Sequence, residues 1–118
     1  MIWKLTQLKV ADNSGAKLVQ CINVLGKFSS VGDIITVSVK ECKGSSKILK
    51  GQIYKSVIIW TKQDIWRDDG SMLSFDENAV VILDSNKNII GTRVFGPVPW
   101  EIGSKGYNKI LSAASFIV

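Results

Sequence analysis

Histidine is absent from this chain of 118 residues, and its absence excludes several classes of catalytic and metal site. Histidine is the commonest general base near neutral pH and a frequent metal ligand, so Ser-His-Asp and Cys-His arrangements are impossible. The sequence also contains no Walker loop and no Gly-x-Gly-x-x-Gly motif. A carboxylate pair is the remaining catalytic option, but the candidates Asp68-Asp69 and Asp76-Glu77 lie in turn-like segments. We therefore predict no enzymatic activity and no cofactor.

Cysteines and long apolar runs are also scarce. Cys21 and Cys42 each lie in an apolar, strand-like run, so we expect them to pack as small apolar side chains in a reducing compartment. No apolar run approaches the ~20 residues that a transmembrane helix needs, and no membrane partner is expected. The first nine residues resemble neither a secretory signal nor a transit peptide. We expect a protein that works where it is made or a sequence that is already mature.

Strand-like patterns make up most of the chain. Residues 35–40 alternate between apolar and polar side chains, which is typical of a half-buried strand. Turn clusters occupy residues 12–15 and 68–71, the segment Gly96-Pro97-Val98-Pro99 is expected to stop the last strand, and residues 100–114 are weakly helical. The other predicted strands cover residues 8–10, 18–25, 56–61, 79–83 and 89–95.

Short strands at regular spacing favour a small barrel of about five strands, because closing the sheet removes exposed edges. The predicted fold class is therefore all-β, a small closed five-stranded barrel with short C-terminal helical segments. We expect one domain over residues 1–118, with the barrel at about 1–98 and the helical tail at about 99–118.

The formal charge is +5, and one segment carries all of it. Between Lys40 and Lys62 lie six lysines and one acid, Glu41, whereas the nine basic and nine acidic residues elsewhere cancel. Residues 43–51 are predicted to form a glycine-bounded loop in this window, called the basic loop below. Its lysines are Lys43, Lys47 and Lys50. Lysines on a loop suit a phosphate backbone, because ion pairing there releases condensed counterions. The alternative is an ordinary solvated lysine face, since a charge of +5 is modest.

Five segments together resemble the universal large-subunit ribosomal protein number fourteen (L-fourteen) in its bacterial type. They are VADNSGAK at residues 10–17, VGDII at 31–35, KGQIYK at 50–55, DGSMLSFDENA at 69–79 and IGTRVFGPV at 90–98. Each segment alone is a weak signal, whereas the ordered set spans almost the whole chain and is specific. Through this resemblance the chain is identified as a member of the L-fourteen family.

The resemblance implies a five-stranded barrel with small C-terminal helices that binds large-subunit rRNA as a structural constituent of the ribosome. It also implies a place at the face meeting the small subunit, a share in an intersubunit bridge, and hence contact with small-subunit rRNA. A neighbouring ribosomal protein of the L-nineteen type and a ribosome-silencing factor are the further partners that it implies. The rRNA contacts that carry over are Asn13, Ser14, Lys17, Lys40, Lys50, Lys55 and Arg93, to which the charge of the loop adds Lys43 and Lys47.

These residue types suit phosphate binding. The 12–15 turn offers backbone N–H groups and short polar side chains to phosphates, and Arg93 can bind one phosphate through two parallel hydrogen bonds. Gly15, at the end of the turn, is expected to adopt a backbone conformation that a β-carbon would strain. Plain turn formation is the alternative explanation for Asn13 and Ser14.

The chain departs from the family pattern by carrying aromatic residues where the family tends to be basic. Trp66 and Trp100 stand at such positions, and we predict that they face protein partners, because aromatic side chains often anchor interfaces. The alternative for Trp100 is that it folds over the barrel end and covers Ile102 or Ile110. This exchange resembles a mitochondrial version of the family. The chain has 2 Arg against 13 Lys, and 15 Ile. This composition indicates AT-rich codons, which organelle-encoded genes often use. A plastid or the bacterial cytoplasm remains the alternative location.

Two other functions remain open. A stand-alone single-stranded nucleic-acid-binding barrel would need several aromatic side chains on one strand face as stacking platforms. The four tryptophans are instead scattered along the sequence, at Trp3, Trp60, Trp66 and Trp100. A carboxylate-based enzyme would need a deep pocket that holds two acidic side chains.

Overall fold

Five strands form a closed barrel in the computed structural model, which describes residues 2–24, 30–43 and 48–118. The barrel strands are β1 (Gln7–Val10), β2 (Ala16–Asn23), β3 (Ile34–Cys42), β4 (Ile53–Trp60) and, after a hairpin of β5 (Ile65–Trp66) and β6 (Met72–Leu73), β7 (Ala79–Leu83). Neighbouring barrel strands pair antiparallel, except that β1 and β7 pair in parallel and close the barrel. The predicted all-β, five-stranded barrel is confirmed.

Two short helices and two further strands follow the barrel. They are β8 (Val94–Val98), α1 (Glu101–Ser104), α2 (Asn108–Ala113) and β9 (Ala114–Ile117), and β8 pairs with β9 in parallel. The predicted C-terminal helical segments are thus present. Neither these helices nor any other helix in the described ranges is long and apolar enough to cross a membrane.

Two apolar cores hold the molecule together, one inside the barrel and one on its outer wall. In β4, Ile58 faces the inner core, whereas Val57 and Ile59 belong to the outer core, which the C-terminal elements cover. Every residue of β7 is buried for the same reason. Strand β7 and the segment Val57–Ile59 of β4 are therefore apolar on both faces, whereas β3 alternates because only its inner face is buried. Side chains of the outer core include Val81, Leu83, Val94, Val98, Ile102 and Ile110.

The last predicted strand was wrong in its bounds, because β8 runs through the segment that was expected to stop it. Gly96 has a φ of +72°, and a β-carbon there would lie 2.7 Å from the ring of Trp60. The glycine thus lets the strand bend closely around that ring, and the Trp60 indole N–H donates a hydrogen bond to the Pro97 carbonyl at 2.7 Å. Strand β9 at the end of the tail was not predicted.

Cys21 is buried in the barrel and Cys42 is partly buried, and both are free thiols. Burial raises the pKa of the Cys21 thiol. The predicted role of these residues as small apolar side chains is consistent with both positions.

Candidate nucleic-acid interface

A tight turn at residues 12–15 joins β1 to β2, and a buried carboxylate holds it. Asp12 Oδ1 accepts hydrogen bonds from the Ser14 amide at 3.1 Å and the Ser14 hydroxyl at 2.5 Å, while Oδ2 accepts one from the Ile82 amide at 3.0 Å. Burial raises the pKa of Asp12 above its ordinary value, although these hydrogen bonds act in the opposite direction. Gly15 has a φ of +109°, so the predicted conformation, which a β-carbon would strain, is confirmed.

The side chain of Asn13 joins this turn to the segment that precedes β8. Its Oδ1 accepts hydrogen bonds from the amides of Thr92 at 2.8 Å and Arg93 at 3.0 Å, and its Nδ2 donates to Thr92 Oγ1 at 2.9 Å. The Asn13 amide donates in return to the Arg93 carbonyl at 3.3 Å. The guanidinium carbon of Arg93 lies 5.9 Å from the centre of the Phe95 ring. Residues 80 positions apart in sequence are therefore neighbours on one surface.

The basic loop begins beside the same turn. The Lys43 amide donates a hydrogen bond to the Gly15 carbonyl at 2.8 Å, and Ala16 of β2 pairs with Cys42 of β3. Lys17 is exposed immediately after this pair. The structure thus brings together five of the predicted site residues. We call this group the turn surface: Asn13, Ser14, Lys17, Lys43 and Arg93.

Lys40 and Lys50 are two further basic residues near the end of β3. The residue before Lys40 pairs with the residues after Lys50: the Val39 amide donates to the Gln52 carbonyl at 2.9 Å, and the Val39 carbonyl accepts from the Gly51 amide at 2.8 Å. Both lysines are exposed. The prediction for Lys47 lies outside the described residues.

Lys55 stands apart from the other candidates. It is exposed on β4, opposite Thr36 of β3. Thr36 precedes Lys40 by four residues on the same strand, which is about 13 Å at the rise of a β-strand. Lys55 therefore lies on the barrel wall at some distance from the turn surface, and a ligand would have to extend along β3 to meet both.

Acidic side chains pair with other basic residues in the described ranges. Glu77 pairs with Lys9 at 3.0 Å, Glu101 with Arg67 at 2.8 Å and Asp33 with Lys105 at 3.1 Å. None of the ion pairs found in these ranges involves the candidate RNA-binding residues Lys17, Lys40, Lys50, Lys55 or Arg93. Their charges are therefore available to an external anion.

Trp66 and Trp100 are both on the surface of the isolated chain, with 73% and 50% of their area exposed. The guanidinium carbon of Arg67 lies 5.6 Å from the centre of the Trp100 ring. Arg67 also donates to Glu101 through two nitrogens, at 2.8 and 3.3 Å, and to the Val118 carbonyl at 2.9 Å. Half of Trp100 is thus free to meet a partner, and the interface prediction for both tryptophans stays a prediction.

The described residues give little support to a stacking platform. The exposed aromatic side chains in these ranges are Trp3, Trp66, Phe95, Trp100 and Phe116, and all of them lie outside the barrel strands. A single-stranded nucleic acid that stacks its bases needs such rings side by side on one face. The exposed residues of the barrel strands are mostly charged or amide side chains instead, among them Lys9, Lys17, Lys40 and Lys55.

The acidic pairs proposed as catalytic candidates are engaged in turns and surface contacts. Asp69 is exposed and accepts hydrogen bonds from the Ser71 amide and hydroxyl, and the hydroxyl is the main cause that lowers the pKa of Asp69. Glu77 forms its exposed ion pair with Lys9. Within the described ranges, no group of three or more acidic or cysteine side chains could hold a metal ion.

Three residues that border the turn surface were not predicted from the sequence. Gly91, Thr92 and Phe95 contact the site residues Asn13 and Arg93. Local sequence shows that a Gly-Thr-Arg segment precedes an apolar strand, but not that the segment lies against the 12–15 turn. Only the pairing of distant parts of the chain reveals that contact.

Comparison with protein families supports the assignment made from the sequence segments. A family model for ribosomal protein L14p/L23e matches residues 1–118, the whole chain. The closed five-stranded barrel and the short C-terminal helices agree with the fold that the resemblance implied. The chain belongs to the ribosomal protein L14p/L23e family and is a non-enzymatic structural protein of the large ribosomal subunit.

Proposed function

We propose that this protein binds large-subunit rRNA through the turn surface and the adjoining lysines Lys40 and Lys50, and that Lys47, whose charge belongs to the same segment of the sequence, is a further contact. The observation that carries the proposal is the meeting of the 12–15 turn, the start of the basic loop and Arg93 at one place. Membership in the family makes rRNA and neighbouring ribosomal proteins the expected partners. Lys55 would contact a more distant part of the same RNA.

The chemistry of this surface favours the phosphate backbone over base edges. Lysine ammonium groups act as point charges that recognise phosphates without regard to sequence. Arg93 adds a planar donor that can bind two phosphate oxygens at once. The turn surface would therefore fix the position of a folded RNA without distinguishing its base sequence.

We infer the wider setting from the family resemblance and not from the geometry of the chain. In this setting the protein lies near the subunit interface, contributes to a bridge to small-subunit rRNA and neighbours a ribosomal protein of the L-nineteen type. A ribosome-silencing factor is a further candidate partner. The location is a mitochondrial ribosome, with a plastid or bacterial ribosome as the alternative. Residues 1–118 act as one domain, in which the tail after about residue 98 packs on the barrel.

The test measures the affinity for a large-subunit rRNA transcript over a range of salt concentrations. The triple variant Lys40→Ala, Lys43→Ala, Lys50→Ala should reduce the log–log slope by roughly 0.7–0.9 for each phosphate that is no longer neutralised, about 2–3 in total. Lys4→Ala is the matched control, because Lys4 is exposed next to Leu5, whose amide donates to the Cys21 carbonyl away from the turn. An unchanged slope in the triple variant contradicts the proposal.

Sedimentation tests the competing function. A stand-alone single-stranded nucleic-acid-binding protein would be found free of ribosomes after centrifugation through high salt. The proposed function predicts that the native protein sediments with large subunits.

A further inference from the structure

We propose that Asn13 and Gly91 are positioning residues that act through Arg93, and that Asn13 is not itself a main contact to RNA. This inference rests on the proposed function, because it concerns how the turn surface presents its arginine. Asn13 is exposed and lies at the centre of that surface, so its position alone would suggest direct contact.

The hydrogen bonds of the Asn13 side chain instead indicate a positioning role. An asparagine side chain has two acceptor sites on its oxygen and two N–H donors. Both acceptor sites of Oδ1 are filled, by the amides of Thr92 and Arg93, and one donor is used on Thr92 Oγ1. Three of four hydrogen-bonding positions thus hold the 92–93 segment, which leaves one N–H for any ligand.

Gly91 makes this close approach possible. A β-carbon at Gly91 would lie 2.5 Å from Asn13 Oδ1 and 3.1 Å from the Ser14 amide nitrogen. The second of these atoms belongs to the backbone, which cannot move aside without opening the turn. Any larger residue at position 91 would therefore push the 91–93 segment away from the turn and break the hydrogen bonds to Thr92 and Arg93.

The turn that carries Asn13 is itself anchored to the barrel. Asp12 reaches the amide of Ile82 in β7 and forms a bridge with Val94 directly after Arg93. The side chain of Arg93 in turn lies over the ring of Phe95. The backbone and the guanidinium of Arg93 are thus both held in place in the free protein, and less conformational entropy is lost when a phosphate binds.

A double-mutant cycle on binding to the large-subunit rRNA transcript tests this role. Arg93→Ala should weaken binding about tenfold or more, as expected for loss of a charge-assisted hydrogen bond, and should lower the salt slope by roughly 0.7–0.9. Asn13→Ala removes no charge, yet it should also lower the salt slope. In the Arg93→Ala background, Asn13→Ala should change the affinity less than about twofold, because its effect acts through the arginine.

A direct contact by Asn13 predicts a different pattern. Asn13→Ala would then leave the salt slope unchanged and would weaken binding equally with and without Arg93, which overturns the inference. If Arg93→Ala changes neither affinity nor slope, the inference is overturned as well. The lysine variants described above then decide separately whether the proposed function stands.

Gly91→Ala provides an independent test that adds a methyl group and removes no polar atom. It should reproduce the loss of affinity and of salt slope seen in Asn13→Ala, and it should have no further effect in the Arg93→Ala background. Gly103→Ala is the matched control, because a β-carbon there would clash with the Leu111 side chain in the C-terminal tail. That variant should leave the affinity and the salt slope unchanged.

Hydrogen exchange gives a readout in the free protein, which keeps the inference testable if an alanine variant at position 91 fails to fold. Asn13→Ala should speed the exchange of the Thr92 and Arg93 amides by about tenfold or more, because both lose their acceptor. Unchanged exchange at both amides would show that Asn13 does not hold the segment, and the inference would be overturned.

Discussion

Ser56 is a polar residue among the apolar side chains of the inner core. It lies fully buried in β4, where its neighbours in register are Ile35 of β3 and Ile82 of β7, both members of the inner core. Its hydroxyl is the one buried side-chain polar group in the described ranges without a hydrogen-bond partner. Leaving a hydroxyl unpaired in an apolar environment costs roughly 1–3 kcal/mol by protein mutational data.

Ser56→Ala should therefore stabilise the isolated protein. We expect the free energy of unfolding to rise by about 1 kcal/mol, since the methyl group of alanine keeps most of the packing and no polar group is lost from a pair. Urea unfolding measures the change. Thr61→Val is the matched control, because the buried Thr61 hydroxyl donates to the Gln63 carbonyl at 3.3 Å. A gain in both variants, or a loss in Ser56→Ala, contradicts the explanation.

Asp12 gives the 12–15 turn a dependence on pH. Its pKa in the folded state is raised by burial, so the folded protein binds a proton more readily than the unfolded chain does. The stabilising contribution of this group is therefore complete below the pKa of the unfolded chain, about 3.9, and is lost as the pH rises through the raised folded pKa.

Comparison of the wild type with Asp12→Asn isolates this effect, because the other titrating groups are common to both. The stability of the wild type relative to Asp12→Asn should fall as the pH is raised from about 4 through the folded pKa of Asp12. Urea unfolding at a series of pH values measures the difference. A difference that is flat or rises with pH would mean that the hydrogen bonds from Ser14 and Ile82 outweigh desolvation.

At the scale of elements, predictability from the sequence depended on whether the cause was local. Strand β3 could be predicted because one buried face imposes an alternating pattern, and the 12–15 turn because its residue types tolerate tight turns. Strand β8 was misjudged because its course depends on the ring of Trp60, which lies far away in sequence. Strand β9 exists only because β8 offers it a partner. The pairing of Asn13 with Arg93 has the same tertiary origin.

Arg67 holds three elements together at the C-terminal end of the molecule. It follows β5, binds Glu101 at the start of α1 and reaches the carbonyl of Val118 after β9. Both partners of the ion pair are 19% exposed at the side chain, so water screens them only partly. A hydrogen bond to a charged group in such a place contributes roughly 1.5–3 kcal/mol, and bonds that share one side chain do not add in full.

Arg67→Ala should lower the free energy of unfolding by about 2–3 kcal/mol, because it leaves Glu101 and the Val118 carbonyl without this donor. Lys9→Ala is the matched control, since the pair of Lys9 with Glu77 is 60% and 49% exposed and should contribute at most about 1 kcal/mol. Denaturant unfolding of both variants gives the comparison. Equal losses would mean that Arg67 contributes no more than a surface charge.

For the molecule as a whole, the candidate RNA-binding residues and the two exposed tryptophans, Trp66 and Trp100, lie on different sectors of the surface. Lys17, Lys40 and Lys55 lie on β2, β3 and β4, and the 12–15 turn meets the segment before β8 at Arg93. The C-terminal elements cover the outer faces of β4 and β7. Trp66 and Trp100 belong to the hairpin and tail on that second side. One sector therefore presents cationic side chains and the other presents exposed aromatic rings, a division that fits the proposed contacts with rRNA and with a protein neighbour.

Trp66 and Trp100 should become buried only in the assembled particle. Trp66→Ala and Trp100→Ala should each reduce incorporation into large subunits, while they change the free energy of unfolding of the isolated chain by no more than about 1 kcal/mol, because surface substitutions usually have small effects. Trp60→Ala is the contrasting variant, since the ring of Trp60 packs against Phe75 and its N–H is hydrogen-bonded, so the isolated chain should lose stability. Competition between labelled wild type and variant during subunit assembly measures incorporation. The predicted role as protein contacts is wrong if both surface variants assemble as well as the wild type, or if the two rings are exposed to solvent in the particle. The stacking of Arg67 on Trp100 would then be the reason for an aromatic residue at position 100.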